Sequence, residues 1–284
     1  MPTFDTPEPI AATIDIAGGH VRIHASDRGD TVVEVRPTDE SEDADVQAAE
    51  HTQVEYAGGQ LLVKAPKNKI RSLFGRAASI DVTVELPSDS RIDARTWADF
   101  RSEGRIGDAT IDNAAGSVRL DQTGRLKLRT AAGDVSVGRS VGPTDVATSS
   151  GKIWIGQIDG TAVVKTSNGD VTVGEVTGDV RLNSANGDIT VDRALAAVGA
   201  KTANGRVRIG EVVRGSVVLE TGFGELELGV REGTTAWLDV AAQHGSVRSE
   251  LDAIDGPQQS DETVEVRART GYGDIVIRGP WPAR

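Results

Sequence analysis

The chain has 284 residues, a length that admits one long domain or two ordinary ones. Glycine fills 33 positions while aromatic residues make up only 4%, a profile that suits short strands and frequent reversals around an aliphatic core. With 43 acidic and 31 basic residues the formal charge is −12, which disfavours nucleic acid as a partner, and the absence of cysteine excludes disulfides, thiol nucleophiles and cysteine-bound metal.

The first residues, Met1 to Pro9, carry Asp5 and Glu8 and show neither the basic start nor the apolar stretch of a secretory leader. No segment approaches the ~20 apolar residues that cross a bilayer. The expectation is a cytoplasmic protein with no transmembrane segment. Alternating apolar residues then predict strands at IAATIDI (Ile10, Ala12, Ile14, Ile16), HVRIHA, TVVEVRP, QLLVKA and IDVTVELP, with Pro37 and Pro87 ending two of them. Between them an acidic stretch precedes VQAAEH, which reads as a short helix with Asp39 as N-cap and Glu42 at N3. The loop KAPKNKIRSLFGR sets Lys67, Lys69 and Arg71 beside Phe74, a basic patch with apolar content that suits an acidic partner or a membrane surface. Residues 1–90 read as a β-rich N-terminal cap or irregular first coils, shielding strand edges.

From there a repeat takes over. Gly-x-aliphatic-x-aliphatic recurs at Gly116, Gly133, Gly151, Gly169, Gly187, Gly205 and Gly224, at spacings of 17, 18, 18, 18, 18 and 19. A looser series runs midway between, through Gly124, Gly142, Gly160 and Gly178, so the unit is two short strands. The Asn-Gly pairs would locally suit two-residue hairpins and an antiparallel meander. A second regularity opposes that reading. Three residues before the first-series glycines stand Thr130, Thr148, Thr166, Ser184, Thr202 and Thr221, and the other corner lacks such a hydroxyl. A residue type that returns every 18 positions makes sense if position i lies on i+18 in parallel coils, each hydroxyl bonding its neighbour or a corner backbone group. The same register stacks Asn168, Asn186 and Asn204, a residue type that tolerates positive φ at a corner. The predicted fold is therefore all-β, a two-sided parallel β-solenoid (β-helix-like) with about 18 residues per coil, regular over residues 91–250.

After Gly224 the register slips by 21 residues to Gly245, and residues 251–262 form a polar loop. The pattern resumes in TVEVRARTGYGDIVI, where Thr270 again stands three before Gly273, so residues 263–284 read as the final coil and C-terminal cap, with Trp281 covering the end.

Chemistry is sparse. His20 and His24 have the even spacing that shares a strand face, but lack a third ligand, and no G-x-S-x-G elbow is present. Asp134, Asp170 and Asp188 recur at one corner in a column broken by Lys152 and Arg206, so these acids read as turn residues bonding local backbone rather than paired catalytic carboxylates or calcium ligands. No catalytic residue, metal site or cofactor is expected. Facing outward, the middle strand position reads Arg119, Ser136, Trp154, Thr172, Thr190, Arg208 and Glu227 down the stack. An outward Trp154 beside Thr172 and Thr190 suits stacking on a sugar ring or anchoring a protein.

The strand DVTVELP (Asp81 to Pro87), the corners GDV, SNGDV and ANGDI, and the closing T-x-x-G-D-I-V-I together resemble the bacterial putative-adhesin family of β-strand-repeat proteins, a domain family of unknown function, over about Ile10 to Ile277. The resemblance implies a solenoid-like all-β fold and a role in adhesion, and supplies no catalytic motif. The expected function is thus a non-enzymatic, adhesin-like binding or scaffolding protein, monomeric or weakly oligomeric, that presents a rigid repetitive surface to a protein or glycan partner. The alternatives are a carbohydrate-active enzyme on a parallel β-helix and a self-assembling filament subunit.

Overall fold

Alternation along each strand sends every second side chain inward, and the aliphatic positions of the repeat are the inward ones. In the strand Val171–Val176, Val171 and Val173 are fully buried, as are Val180 and Leu182 in Val180–Asn186, while Thr172 and Arg181 between them face out. The computed structural model describes residues 1–66, 78–251 and 262–279. Two compact units divide the chain, Met1–Val141 and Gly142–Arg284.

In the second unit, consecutive strands alternate between two sheets. Sheet I runs Ile153–Asp159, Val171–Val176, Ile189–Ala194, Val207–Val212, Leu226–Val230, Ile275–Arg278 and Val247–Ser249. Sheet II runs Thr144–Ser150, Ala162–Asn168, Val180–Asn186, Val198–Asn204, Gly215–Phe223, Glu262–Tyr272 and Thr234–His244. The pairs are parallel and hold the 18-residue register: Val171 lies beside Ile189, Thr172 beside Thr190, Ser184 beside Thr202 and Asn186 beside Asn204. Each Asn-Gly pair is therefore a corner between the two sheets and not a hairpin. The fold is a two-sided parallel β-solenoid, and its core is a column of Val, Ile and Leu between the sheets.

The order of the last coils departs from the sequence. Glu262–Tyr272 pairs with Gly215–Phe223 on one side and with Thr234–His244 on the other, so the last coil in sequence is inserted beneath the one that precedes it. Gly273 thus stacks on Gly224, and the Gly273 N–H donates to the His244 carbonyl. Burial gives the reason. Val264, Val266, Ala268, Ile275 and Ile277 of the inserted coil are buried, whereas Leu238 and Val247 of the outer coil remain partly open. In sheet I the inserted coil brings Ile275 and Ile277 to the core where the outer one has Val247 and Ser249.

In the first unit the strands Ala11–Ile16 and Gly19–Ser26 make one coil. It is paired in parallel with Arg91–Thr96 and Asp99–Arg105 on one side and with Gln60–Lys64 and Ile80–Pro87 on the other. Antiparallel strands lie outside these. Asp30–Pro37 pairs with Ile80–Pro87, Thr3–Asp5 pairs with Asp30–Pro37, and Gln53–Ala57 pairs with Gln60–Lys64 through a turn at Gly58 and Gly59, whose φ values are 56° and 78°. The helix spans Asp43–Glu50 with Glu42 at its N-cap and no side-chain cap bond. Asp39 does not cap it. The Asp39 carboxylate instead accepts the Ser41 N–H at 2.9 Å and the Ser41 hydroxyl at 2.7 Å, a local turn that competes with capping.

Candidate functional site

The corners come first, because they fix the register of everything displayed on the faces. The Thr202 hydroxyl donates to the Gly187 carbonyl at 3.1 Å, Thr221 to Gly205 at 2.9 Å and Thr270 to Gly224 at 3.0 Å, so these hydroxyls tie each coil to a glycine carbonyl of the coil beneath. Ser184 makes the same bond to Gly169 at 3.4 Å, while Thr130 and Thr148 turn to the Ala132 and Ser150 carbonyls. The Thr166 hydroxyl is buried in the same row, with no partner in the structure. Asn186 Nδ2 donates to Asn168 Oδ1 at 3.0 Å and Asn204 Nδ2 to Asn186 Oδ1 at 2.9 Å, an amide ladder along the stack. The asparagines do not carry the positive φ expected of them. That conformation belongs to the following glycines, at 140° for Gly169, 142° for Gly187 and 152° for Gly205.

The ladder predicts that Asn186→Ala, which removes two exposed amide bonds at once, lowers stability by about 1–2 kcal/mol, read as a fall in the thermal midpoint with the fold retained in circular dichroism.

The corner aspartates bond backbone, but in the next coil rather than in their own turn. Asp170 Oδ1 accepts the Asp188 N–H at 3.0 Å, Asp188 Oδ1 accepts the Arg206 N–H at 2.8 Å, and Asp274 Oδ1 accepts the Ser246 N–H at 2.8 Å. Backbone and side-chain hydrogen bonds from Ser246 hold the Asp274 carboxyl below the usual carboxylate range. A lowered pKa contributes stability that is present above the ordinary value and lost as pH falls through the lowered one. The Ser246 amide signal is therefore expected to titrate in acid with a midpoint below that of a free aspartate; a midpoint at or above the free value would remove the bond from the account.

On the outer face of sheet I in the second unit, Trp154 lies beside Thr172, Thr172 beside Thr190, Thr190 beside Arg208, and Arg208 beside Glu227. Trp154 is 47% exposed. With strands ~4.8 Å apart, the indole and the two threonines form a strip about 10 Å long whose backbone is pinned from behind by buried Ile153, Ile155, Val171, Val173, Ile189 and Val191. In a neighbouring column Arg193 bridges two acids, 3.5 Å from Glu175 and 3.2 Å from Glu211. The far end of the strip is closed by Glu227, which lies 3.7 Å from Arg208 and 3.8 Å from Arg206 and Arg278. The strip therefore offers an aromatic face and two hydroxyls, flanked by ion pairs. Lys67, Lys69, Arg71 and Phe74, the other proposed partner-binding residues, lie outside the described residues.

His20 and His24 do share the outer face of their strand, but they answer different acids. His20 Nδ1 is 2.8 Å from Asp81, and His24 Nδ1 is 3.2 Å from Glu103. Among the described residues no group of three or more His, Asp or Glu side chains is placed to hold a metal ion, and no helix is long and apolar enough to cross a membrane.

One surface feature was not anticipated from the sequence. In the register column of the asparagines, Asn204 is followed by Phe223, Tyr272 and His244, whose rings stack at centroid distances of 4.9 Å and 4.5 Å. Each stands one residue before a stacked glycine, which is the signal that marks them, but chain order conceals that Tyr272 sits between the other two.

A parallel two-sided solenoid whose corner groups tie coil to coil, and whose exposed faces carry the remaining variety, is a repeat scaffold. The chain belongs to the Toastrack DUF4097 family, whose family model matches residues 12–278. Among solved structures it is similar to one described as a putative adhesin from Bacteroides fragilis, at 13% identity, 97% of this chain, 95% of that chain and a TM-score of 0.39. Another, described as a putative lipid binding protein from Parabacteroides distasonis, matches at 11% identity, 98% of this chain, 95% of that one and a TM-score of 0.46. A putative adhesin from the same organism matches at 12% identity, 97% and 95% coverage and a TM-score of 0.35. No curated protein matches the chain.

Proposed function

We propose that the protein is a non-enzymatic, adhesin-like binding or scaffolding protein that presents the outer face of its solenoid to a protein or glycan partner. The observation that carries this reading is the half-exposed Trp154 held in line with Thr172 and Thr190 on a backbone fixed by the core behind it. Such a strip sets an indole and hydroxyls on a backbone that needs no ordering at binding, the combination that recognises sugar rings and extended peptide surfaces. A carbohydrate-active enzyme is the weaker reading, since Asp170 and Asp188 already accept backbone N–H groups of the next coil.

The test pairs the wild type with Trp154→Ala and Thr172→Arg on a glycan array and in pull-downs from bacterial lysate. A partner held by the wild type and lost, at least tenfold, by both variants supports the strip. Binding that survives both variants, or no binding on either platform, removes it. The same preparations assayed on polysaccharide substrates would bring back the enzyme reading if any hydrolysis or elimination disappeared with Asp170→Asn and Asp188→Asn together.

A further inference from the structure

Among the described residues, the last strand of sheet II in the second unit, Thr234–His244, is paired on one side only, with Glu262–Tyr272. It is 11 residues long and carries a single charged side chain, Asp239, which Arg269 engages at 2.7 Å. Natural sheet edges are commonly blunted by shortness or charge, and the first unit follows that rule: its outer strands are Thr3–Asp5, three residues, and Gln53–Ala57, five residues with Glu55 at the centre. The strand Thr234–His244 is more than twice the length of either, and its one central charge, Asp239, is neutralised by Arg269.

Two features make this edge adhesive. The first is its backbone. In a parallel ladder alternate residues direct both their N–H and C=O to one neighbour. The His244 carbonyl accepts the Gly273 N–H, so the even-numbered residues face Glu262–Tyr272 and the odd-numbered ones, Trp237, Asp239 and Ala241 among them, face away. Consistent with this, the Asp239 carbonyl is met by the Arg269 guanidinium at 2.6 Å and not by a strand. The second is the open core. Leu238 and Val247 stack on Val266 and Ile275, which are buried, yet are themselves 38% and 44% exposed, and Trp237 on the outer side is 62% exposed.

We propose that this edge is an interface between two copies of the chain, which pair antiparallel through Thr234–His244 about a two-fold axis near Asp239. Self-pairing suits the strand because an axis at Asp239 sets Leu238 of each copy opposite Val240 of the other, on the core side, and continues both apolar columns across the junction. Charge permits it. Residues 234–249 contain one acid, Asp239, and one base, Arg248, in a chain of formal charge −12, so the two acidic molecules meet at a neutral patch. Each Arg269 is kept on its own Asp239 carboxylate and displaced from the Asp239 carbonyl, which the partner's strand takes.

Sedimentation velocity on the full chain across micromolar concentrations is expected to give twice the chain mass of 29.8 kDa. Ala241→Pro removes an N–H that faces away from the ladder, and Val240→Lys places a charge in the open core. Both are expected to sediment as monomers with the wild-type circular dichroism spectrum, and to melt somewhat below the wild type because the association that stabilises it is lost. Because the chain has no cysteine, Asp239→Cys reports the axis directly and is expected to oxidise to a covalent dimer, whereas Val54→Cys on the outer strand of the first unit is not. A wild type that stays at the monomer mass overturns the proposal. So does a mass that climbs past the dimer with concentration, a covalent dimer from Val54→Cys, or an Ala241→Pro protein that still dimerises. Should Ala241→Pro fail to fold, Val240→Lys and the cysteine pair decide alone.

Discussion

Gly187→Ala is expected to lower the thermal midpoint by roughly 6–15 °C, the effect of about 3–5 kcal/mol in a chain of this size. Two costs combine. Gly187 has a φ of 142°, which an L side chain rarely adopts, and a Cβ built there would meet the Gly169 carbonyl oxygen of the coil beneath at 2.2 Å. That oxygen is backbone and is bonded to the Ser184 hydroxyl, so it has no free rotation by which to yield. The coils must separate at the corner, and the Asn168 to Asn186 bond would lengthen with them. Gly58→Ala separates the two costs. Its φ of 56° is also left-handed, but nothing lies within 4 Å of the added carbon, so it carries only the conformational term of about 1–2 kcal/mol. If the two variants melt together, close approach of coils is not what the corner glycines provide.

The same contrast explains what sequence spacing could and could not reveal. The 18-residue period was legible because in-register stacking forces like residues onto like, and Thr202 bonding Gly187 is the physical form of a threonine that recurs three before each glycine. Spacing could not tell which partner the hydroxyl takes, since another hydroxyl and a glycine carbonyl both lie one coil away. It also could not order the last coils. Chain spacing reports the next segment along the chain, whereas the place above Leu226–Val230 in sheet I is taken by DIVI, which turns Ile275 and Ile277 inward, and not by SVRS, which would bring only Val247 and Ser249. In the first unit the Gly58-Gly59 pair is a hairpin signal that distinguishes an antiparallel outer pair from the parallel coils around it. At the candidate site, alternation alone turned Trp154 outward. That the indole remains half exposed depends on what packs beside it, which no strand pattern encodes.

The largest effect follows from the period itself. Removing residues 171–188, one whole coil, joins Asp170 to Ile189, and Ile189 is the residue that already pairs with Val171 in sheet I. Every later residue then moves down one step in the stack but keeps its sheet, its corner and its inward or outward sense. The shortened chain is expected to fold cooperatively, because nearest-neighbour interfaces in a repeat array are interchangeable. Removing residues 171–179, half a coil, joins Asp170 to Val180 instead. The strand Val180–Asn186 then enters sheet I, Ser184 and Asn186 are carried to the other corner, which has no amide ladder, and each following strand changes sheet. Contrary to what the sequence spacing suggests, that corner is not without hydroxyls, since Thr123 donates to the Gly107 carbonyl, Ser140 to Gly124 and Thr177 to Ile158. Coils beyond the junction still meet their own 18-residue neighbours, so the mismatch falls on the one interface where Val180–Asn186 comes to lie on Ile153–Asp159. The half-coil deletion loses there the bonds of Asn168 to Asn186, Ser184 to Gly169 and Asp170 to Asp188, about 3–5 kcal/mol more than the full-coil deletion loses. Circular dichroism and urea titration on the two deletions give the answer: a sigmoidal transition for both, with the half-coil deletion unfolding at a clearly lower urea midpoint than the full-coil deletion. Equal behaviour of the two would mean that the corners do not distinguish the sheets, and the coil-to-coil bonds of Thr202, Asn186 and Asp188 would then contribute little to the register they accompany.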